Sequence, residues 1–444
     1  MIEEIEELIK EKNYKKLKEE LGKINNFDLA ELIEDLKRDE AIKVFSLMEK
    51  DKAAEVFANL PVEIEAKLIT VLTDKEAVDL LNQMYADDAA DLVEEMPANV
   101  VKRLLKKCSK ETRNDINKLL NYPENSAGSL MTVEFAELKE NLSIEKALEK
   151  LRKEKEEYET VNTCYVVNAG RKLLGYIDLQ DIIFSEPENI IKNLYNDNII
   201  SVKTTEDQEE VANMFKKYDL TVMPVVDSEE RLVGIITIDD VIDVLEEEAT
   251  EDIEKMAGIT PTTKSYLKTG VIETWKKRIP WLLLMMLSAT FTGTIIQNYE
   301  SALAGYIILT SFIPMLMGTG GNAGSQASVT VIRGLSLGEI EFEDILKIMW
   351  KEFKVAIICG ITLAIANFIK LILIDKIEII VSAVVCIALV FTVILAKIIG
   401  CVLPLVAKKL KLDPAVMASP FITTLVDALS LLTYFQIATM LLNI

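Results

Sequence analysis

Apolar positions along the chain follow three rhythms in succession, and each predicts a different architecture. Over residues 1–121 they recur at helical spacing between charged residues. Residues 1–36 read as charged amphipathic helices, and a 36-residue repeat follows. Glu-Ala-Ile-Lys-Val-Phe-Ser-Leu-Met at 40–48 returns as Glu-Ala-Val-Asp-Leu-Leu-Asn-Gln-Met at 76–84. Asp-Lys-Ala-Ala-Glu-Val-Phe at 51–57 returns as Asp-Asp-Ala-Ala-Asp-Leu-Val at 87–93, and Pro61 and Pro97 end the two copies. Stacked helix pairs of this kind make an all-α superhelical domain.

After a linker at Tyr122–Thr132, the apolar runs shorten to strand length. Residues 165–181 align with 224–240 at an offset of 59 as strand, charged turn, strand and helix start, each behind a helix at 143–155 or 205–217. This predicts an α/β pair, 122–190 and 191–243. Residues 241–270 read as one helix, connecting from 244 onward and dense in acids: Glu246, Glu247, Glu248, Glu251, Asp252 and Glu254. Beyond Arg278, in a domain counted as 271–444, five apolar segments follow: 279–297, 302–332, 350–374, 377–407 and 414–443. Each reaches the ~17–25 residues that span a bilayer. The predicted fold is a multidomain membrane protein: all-α superhelical N-domain, α/β tandem pair, long connecting helix and five-helix transmembrane domain.

Charge sharpens the division. Residues 271–444 hold 13 Lys+Arg and 11 Asp+Glu, net +2; the chain total of 49 and 71 leaves 36 and 60, net −24, for residues 1–270. So acidic a half excludes nucleic-acid binding and attracts cations. Lys276, Lys277 and Arg278, then Arg333, Lys347, Lys351 and Lys354, then Lys408, Lys409 and Lys411 cluster at alternate connections. The positive-inside rule then puts the N-terminus in the cytosol and the C-terminus outside the inner membrane. The first 40 residues lack an apolar signal core. Five scattered cysteines fit a reducing compartment, and the absence of histidine excludes His-dependent zinc or triad chemistry.

Two features within the apolar half carry chemistry. Residues 314–326, Pro-Met-Leu-Met-Gly-Thr-Gly-Gly-Asn-Ala-Gly-Ser-Gln, interrupt an apolar run with groups that lipid cannot satisfy. Pro314, Gly318, Gly320, Gly321, Asn322, Gly324 and Gln326 read as pore-lining; the plainer reading is helix packing, since Gly320 and Gly324 also form a small-xxx-small motif. The second is Asp427, a carboxylate costing about 2.5–3.5 kcal/mol near a bilayer centre. On one helix climbing about 21 Å from Asp413, Pro420, Thr423, Thr424, Ser430 and Tyr434 extend a polar stripe beside it. Thr423 and Thr424 join the pore-lining set. Pairing of Asp427 with Lys397, or its protonation, is the bland alternative.

The strand–turn–strand repeat resembles a tandem pair of cystathionine-β-synthase (CBS) domains. Gly-Ile-Ile-Thr-Ile-Asp-Asp at 234–240 resembles the segment that holds ATP or another adenine nucleotide in such domains, with Thr237 on the phosphate side and Asp240 on the ribose side. Asp178 replaces the hydroxyl in the first copy. The whole chain resembles the MgtE family of magnesium channels. Pro-x-x-x-Gly-x-Gly-Gly-Asn-x-Gly-x-Gln at 314–326 looks like its pore motif, and Asp413-Pro-Ala with Pro420–Asp427 like its last helix.

The resemblance implies a homodimer with one pore on its two-fold axis, lined by the second and fifth membrane helices, and Mg2+ held by Asp427. It implies regulatory Mg2+ at Glu55, Asp87 and Asp91, at Glu209, Asp219 and Asp240, at Glu248, Glu251 and Asp252, and at Asp413. Mg2+ prefers oxygen ligands and keeps several waters, which suits sparse carboxylates. The expected function is inward Mg2+ transport gated by cytosolic Mg2+, with no enzymatic activity; the expected partners are its own copy and membrane lipid, and not nucleic acid. Rival readings are a cobalt, manganese or nickel transporter regulated by nucleotide, a non-transporting nucleotide sensor, and an intramembrane aspartyl protease. The protease lacks a second deep acid, and the sensor leaves Asp427 unexplained.

Overall fold

A computed structural model describes residues 5, 7–9, 11, 13–262, 266–267, 269–299, 304–417 and 419–442. The start of the N-terminal charged stretch, the start of the second apolar segment at 302–303 and the side chain of Pro420 lie outside the described residues. The chain forms two compact units, residues 1–245 and 246–444.

The first unit opens with short helices: α1 (Tyr14–Leu21), α2 (Asn26–Asp35), α3 (Arg38–Leu47), α4 (Lys50–Ala58), α5 (Val62–Ile69), α6 (Asp74–Leu81), α7 (Ala86–Glu95), α8 (Ala98–Leu105) and α9 (Lys110–Leu119). The repeat is visible in their caps. Pro61 and Pro97 stand just before α5 and α8, where a missing N–H costs nothing. Thr73 and Glu76 close a capping box on α6. Phe57, Leu81, Ala89 and Leu92 are fully buried in a core that continues through Met131, Val211 and Val241.

The segment read as a linker is corrected. Ser126 caps α10 (Ala127–Leu130), Ala127 and Gly128 donate to the carbonyls of Glu206 and Thr204, and Thr132 bridges Ile235. A side chain at Gly128 would strike Tyr122 and the Thr204 carbonyl. Residues 126–132 are therefore built into the α/β pair. That pair holds two three-stranded sheets, β1 (Phe135–Lys139), β2 (Thr160–Val167) and β3 (Leu173–Asp178), then β4 (Val202–Lys203), β5 (Val222–Val226) and β6 (Leu232–Thr237). In each sheet the first two strands run parallel and the last two antiparallel. Helices α11 (Ile144–Lys153) and α13 (Gln208–Tyr218) connect the parallel strands, and α12 (Leu179–Phe184) and α14 (Ile238–Met256) follow β3 and β6.

Helix α14 corrects the predicted 241–270 helix at both ends. It starts on leaving β6, and it stops because Gly258 takes φ +69° while Gly258 and Ile259 donate to the carbonyls of Lys255 and Glu254.

The second unit holds five helices of 24 or more residues among the described residues: α15 (Val271–Asn298), α16 (Ile313–Ser336), α17 (Ile345–Leu373), α18 (Ile379–Lys409) and α19 (Ser419–Leu442). Four helical stretches, Val271–Asn298, Phe342–Leu373, Ile379–Lys409 and Ala415–Leu442, are long and apolar enough to cross a membrane. Helix α16 falls short of that test, diluted by glycine, asparagine and hydroxyl side chains. Helix α18 is the hub, packed against α16, α17 and α19.

Candidate functional site

The glycine-rich stretch does not interrupt its helix. Pro314 occupies the first turn of α16, where its missing N–H breaks no bond, and the helix runs on through Ser336. Its unusual residues divide between two faces. Gly320 and Gly324 are buried, and a Cβ there would meet Thr392, Val426 and Ser430, or Ile422 and the Ala396 carbonyl. Gly400 on α18 lies against the backbone of Gly324. This face is close packing. A Cβ at Gly321 would lie 3.5 Å from the Thr423 methyl of α19, an ordinary contact. On the other face Pro314, Gly318, Asn322 and Gln326 recur every four residues and are all exposed, with open space at Gly318.

Asp427 lies half-buried on α19. The expectation of one helix rising from Asp413 is corrected. Asp413 lies in the approach to the helix and accepts from the Ala415 N–H at 2.7 Å; a short 3-10 turn at Ala415–Met417 follows before α19 opens at Ser419. The predicted polar stripe also divides. Tyr434 is buried and donates to the Leu309 carbonyl at 2.9 Å, Ser430 is buried, and Thr424 shares a hydrogen bond with Ser288 of α15 at 2.9 Å. Lys397 is not the partner of Asp427: it pairs with Glu352 of α17 at 3.2 Å, both nearly buried. The Oδ1 atom of Asp427 is buried with no hydrogen-bond partner among the described residues.

At the start of the second unit, the tail of α14 meets Asp413. Lys255 Nζ stands 2.6 Å from Asp413 Oδ2 and also contacts Glu251. Ser336 donates to Asp252 at 3.2 Å. Burial, and then the Asp413 charge, raise the Asp252 carboxyl above its ordinary value. Glu251, Asp252 and Asp413 are thus brought together, with a lysine among them that sequence reasoning missed. Glu248 lies one turn earlier on the same helix.

Within the first unit, two helix starts aim acids at one place. Asp87 and Asp88 open α7, and Asp239 and Asp240 open α14 directly after β6, positions that a helix dipole favours for carboxylates. Glu159 precedes β2 and Glu134 precedes β1. Carboxylate oxygens of Glu159, Asp239 and Asp240 lie within 4.8 Å of one another, a set able to hold a metal ion. Thr237 donates to Asp240 at 2.6 Å, and Thr132 to Glu134 at 2.7 Å.

Burial, then the charges of Asp88, Asp240 and Glu159, hold the Asp87 carboxyl well above its usual range. Burial, then Asp240, Asp239 and Glu134, push Asp88 up to about 7. Glu159 is pushed to about 7 by burial and Asp240, and Asp240 to about 6 chiefly by burial. None of the six acids forms an ion pair with lysine or arginine among the described residues. Such a cluster offers the oxygen ligands that a hard divalent cation prefers.

Sequence reasoning named Asp87 and Asp240 but missed Asp88, Asp239, Glu134 and Glu159. The first two adjoin named acids and could have been found; the others are single acids before strands, with no local signal. The remaining predicted ligands lie apart. Glu55 accepts from Asn26, and Asp91 acts on buried Glu65 of α5, whose carboxyl burial raises to about 9. Glu209 is in the first turn of α13, and Asp219 is its left-handed C-cap at φ 51°. About 15 Å of helix separates the two, so one ion cannot join them within a chain.

The cluster predicts a pH dependence. Asp88, Glu159 and Asp240 ionise in the folded state at about 6 to about 7 against ordinary values of 3.8 to 4.5. The folded form therefore takes up protons first, and that stabilisation is lost as pH rises through about 6 to 7. Without divalent cations, a fragment of residues 1–256 should melt several degrees higher at pH 5.5 than at pH 8. Added Mg2+ should restore the loss at pH 8. A melting temperature that rises with pH in metal-free buffer would contradict this.

Comparison with known proteins agrees with both units. A family model described as MgtE, divalent cation transporter, matches residues 313–437; the MgtE intracellular N domain matches 24–125, and CBS domains match 127–187 and 191–247. The chain is 36% identical to the magnesium transporter MgtE of Thermus thermophilus, over 99% of its own length and 98% of the relative's. It is 38% identical to that of Bacillus subtilis, over 72% and 70% respectively. A crystal structure of the cytosolic domain of the Mg2+ channel MgtE in complex with ATP matches 55% of this chain and all of that one, at 35% identity and a TM-score of 0.53. With its helical N-domain, CBS pair and apolar helical unit, the chain is a multi-pass membrane protein and belongs to the MgtE family of divalent cation transporters.

Proposed function

We propose that this chain carries Mg2+ across the membrane as a homodimer, through a pore on the two-fold axis lined by α16 and α19. The observation that carries the reading is the exposed stripe Pro314, Gly318, Asn322 and Gln326. Helix α16 packs among apolar membrane helices, yet one side offers amides and bare backbone that hydrocarbon cannot satisfy. A second copy facing it across water would satisfy them. Thr423, Thr424 and Asp427 add hydroxyls and a carboxylate from α19, and the buried glycines let the two helices approach. The five long helices would each cross the bilayer, with the N-terminus in the cytosol and the C-terminus outside, as the lysine and arginine distribution favours. The magnesium-transporter relatives support Mg2+ as cargo.

Regulation belongs to the same reading. Mg2+ bound among Asp87, Asp88, Glu159, Asp239 and Asp240 would hold the helical domain to the CBS pair, and Mg2+ among Glu248, Glu251, Asp252 and Asp413 would hold the tail of α14 at the pore entrance. An adenine nucleotide at Thr237 and Asp240 is supported by the ATP-bound relative. The chain acts as a transporter and not as an enzyme.

The test is a cysteine at position 322 in a background whose native cysteines are replaced. In reconstituted vesicles it should cross-link to its copy under mild oxidation, and a water-soluble thiol reagent should block Mg2+ flux. A residue that neither cross-links nor reacts would place the stripe elsewhere and overturn the pore.

A further inference from the structure

We infer that the outward face of α17 at its lysine-bearing end is a binding site for an anionic phospholipid. Helix α17 has two unlike sides. Glu352, Ala356 and Gly360 face α18, where Glu352 meets Lys397 at 3.2 Å and Gly360 lies against Val390. The opposite side is exposed along its length. From its N-terminal end it carries Trp350, Lys351 and Lys354, then turns aliphatic at Ile358 and continues through Ile361 and Ile365.

The ammonium groups of Lys351 and Lys354 have no carboxylate partner among the described residues. Lys347, one turn earlier, is already paired with Asp344 at 2.8 Å, and Glu352 is turned away to Lys397. Exposed Glu339, Glu341 and Glu343 precede the helix. Lys354 stands about 15 Å of helix rise beyond Asp344, deeper than those acids. Lys354 lies over the Trp350 ring, 5.7 Å from its centroid, and Trp350 stacks on Phe353 at 5.7 Å. Exposed tryptophan beside lysine at the end of an apolar helix marks the level of lipid headgroups.

One ligand suits both parts of this face. A phospholipid lays its acyl chains along Ile358, Ile361 and Ile365 and brings its phosphate to the two lysines. A zwitterionic headgroup also carries a cation that meets them unfavourably, so the site favours a net anionic lipid. Each lysine near an anionic surface is worth about fivefold in affinity.

The experiment follows Trp350 fluorescence in the full chain with Trp275 and Trp281 changed to phenylalanine, reconstituted in vesicles of zwitterionic lipid. Small fractions of brominated phosphatidylglycerol or brominated phosphatidylcholine then serve as quenchers. Vesicles symmetric in composition make the result independent of orientation, and the readout is independent of Mg2+ transport. The expected result is an apparent affinity at least fivefold higher for brominated phosphatidylglycerol. Lys351→Gln with Lys354→Gln should reduce that preference to near unity without changing assembly. Equal quenching by the two lipids, or a preference that survives both substitutions, overturns the site. Absence of quenching by either lipid also overturns it, because the face would then be covered by protein such as a second copy.

Discussion

An Asp427→Ala protein should fold, assemble and fail to carry Mg2+, with uptake into vesicles at least about tenfold below the unaltered chain, a loss of about 1.4 kcal/mol or more. The structure makes this a clean test of transport. Lys397 is bound to Glu352, so removing Asp427 leaves no lysine stranded, and its buried Oδ1 has no partner to lose among the described residues. Asp427→Asn keeps the shape and should still lose most divalent binding, because charge-assisted contacts are roughly twice as strong as neutral ones. Glu352→Gln is the contrasting control. It leaves Lys397 buried without its anion, at a cost of about 3–5 kcal/mol, and should impair folding before transport is reached. Uptake near normal in both Asp427 variants would remove the residue from the pore.

The parts legible in the sequence were those set by local chemistry. Helical periodicity, with Pro61 and Pro97 ending its two copies, announced the helical repeat, and the 59-residue offset announced the paired sheets. What failed depended on neighbours distant in sequence. Residues 126–132 look like a linker because Pro123 and Gly128 suggest a turn, yet their N–H groups find the carbonyls of Thr204 and Glu206 nearly 80 residues away. The glycine-rich stretch was legible as unusual but not as two-sided. Helical phase alone separates Gly320 and Gly324 from Gly318 and Asn322, and only the positions of α18 and α19 say which side is packed. Lys397 illustrates the same limit. Sequence offered Asp427 as its partner, while the fold supplies Glu352. Glu134 and Glu159 were illegible because a carboxylate becomes a ligand only through what folds against it.

The second large effect concerns the proposed gating, and two opposing terms decide its direction. In the double variant Asp88→Asn, Asp240→Asn, the cluster between α7 and the start of α14 loses two candidate ligands and also two mutually repelling charges. Loss of ligands weakens Mg2+-dependent closure; loss of repulsion favours closure without metal. Near pH 7 the repulsion is already blunted, because burial and the neighbouring carboxylates push Asp88 and Glu159 up to about 7. An amide at position 88 therefore relieves little that protons have not relieved, and the charge removed at Asp240, which ionises at about 6, is itself a lost ligand, so the Mg2+ set shrinks from five carboxylates to three. The ligand term wins. In vesicles with Mg2+ controlled on the cytosolic side, the concentration that half-closes the pore should rise at least about tenfold, equivalent to about 1.4 kcal/mol of lost differential binding to the closed form. The gap should widen at pH 8, where protons no longer substitute for the ion, and narrow toward pH 6. Closure of the double variant at the same Mg2+ concentration as the unaltered chain, at both pH values, would make the cluster a passive contact and place the Mg2+ sensor elsewhere.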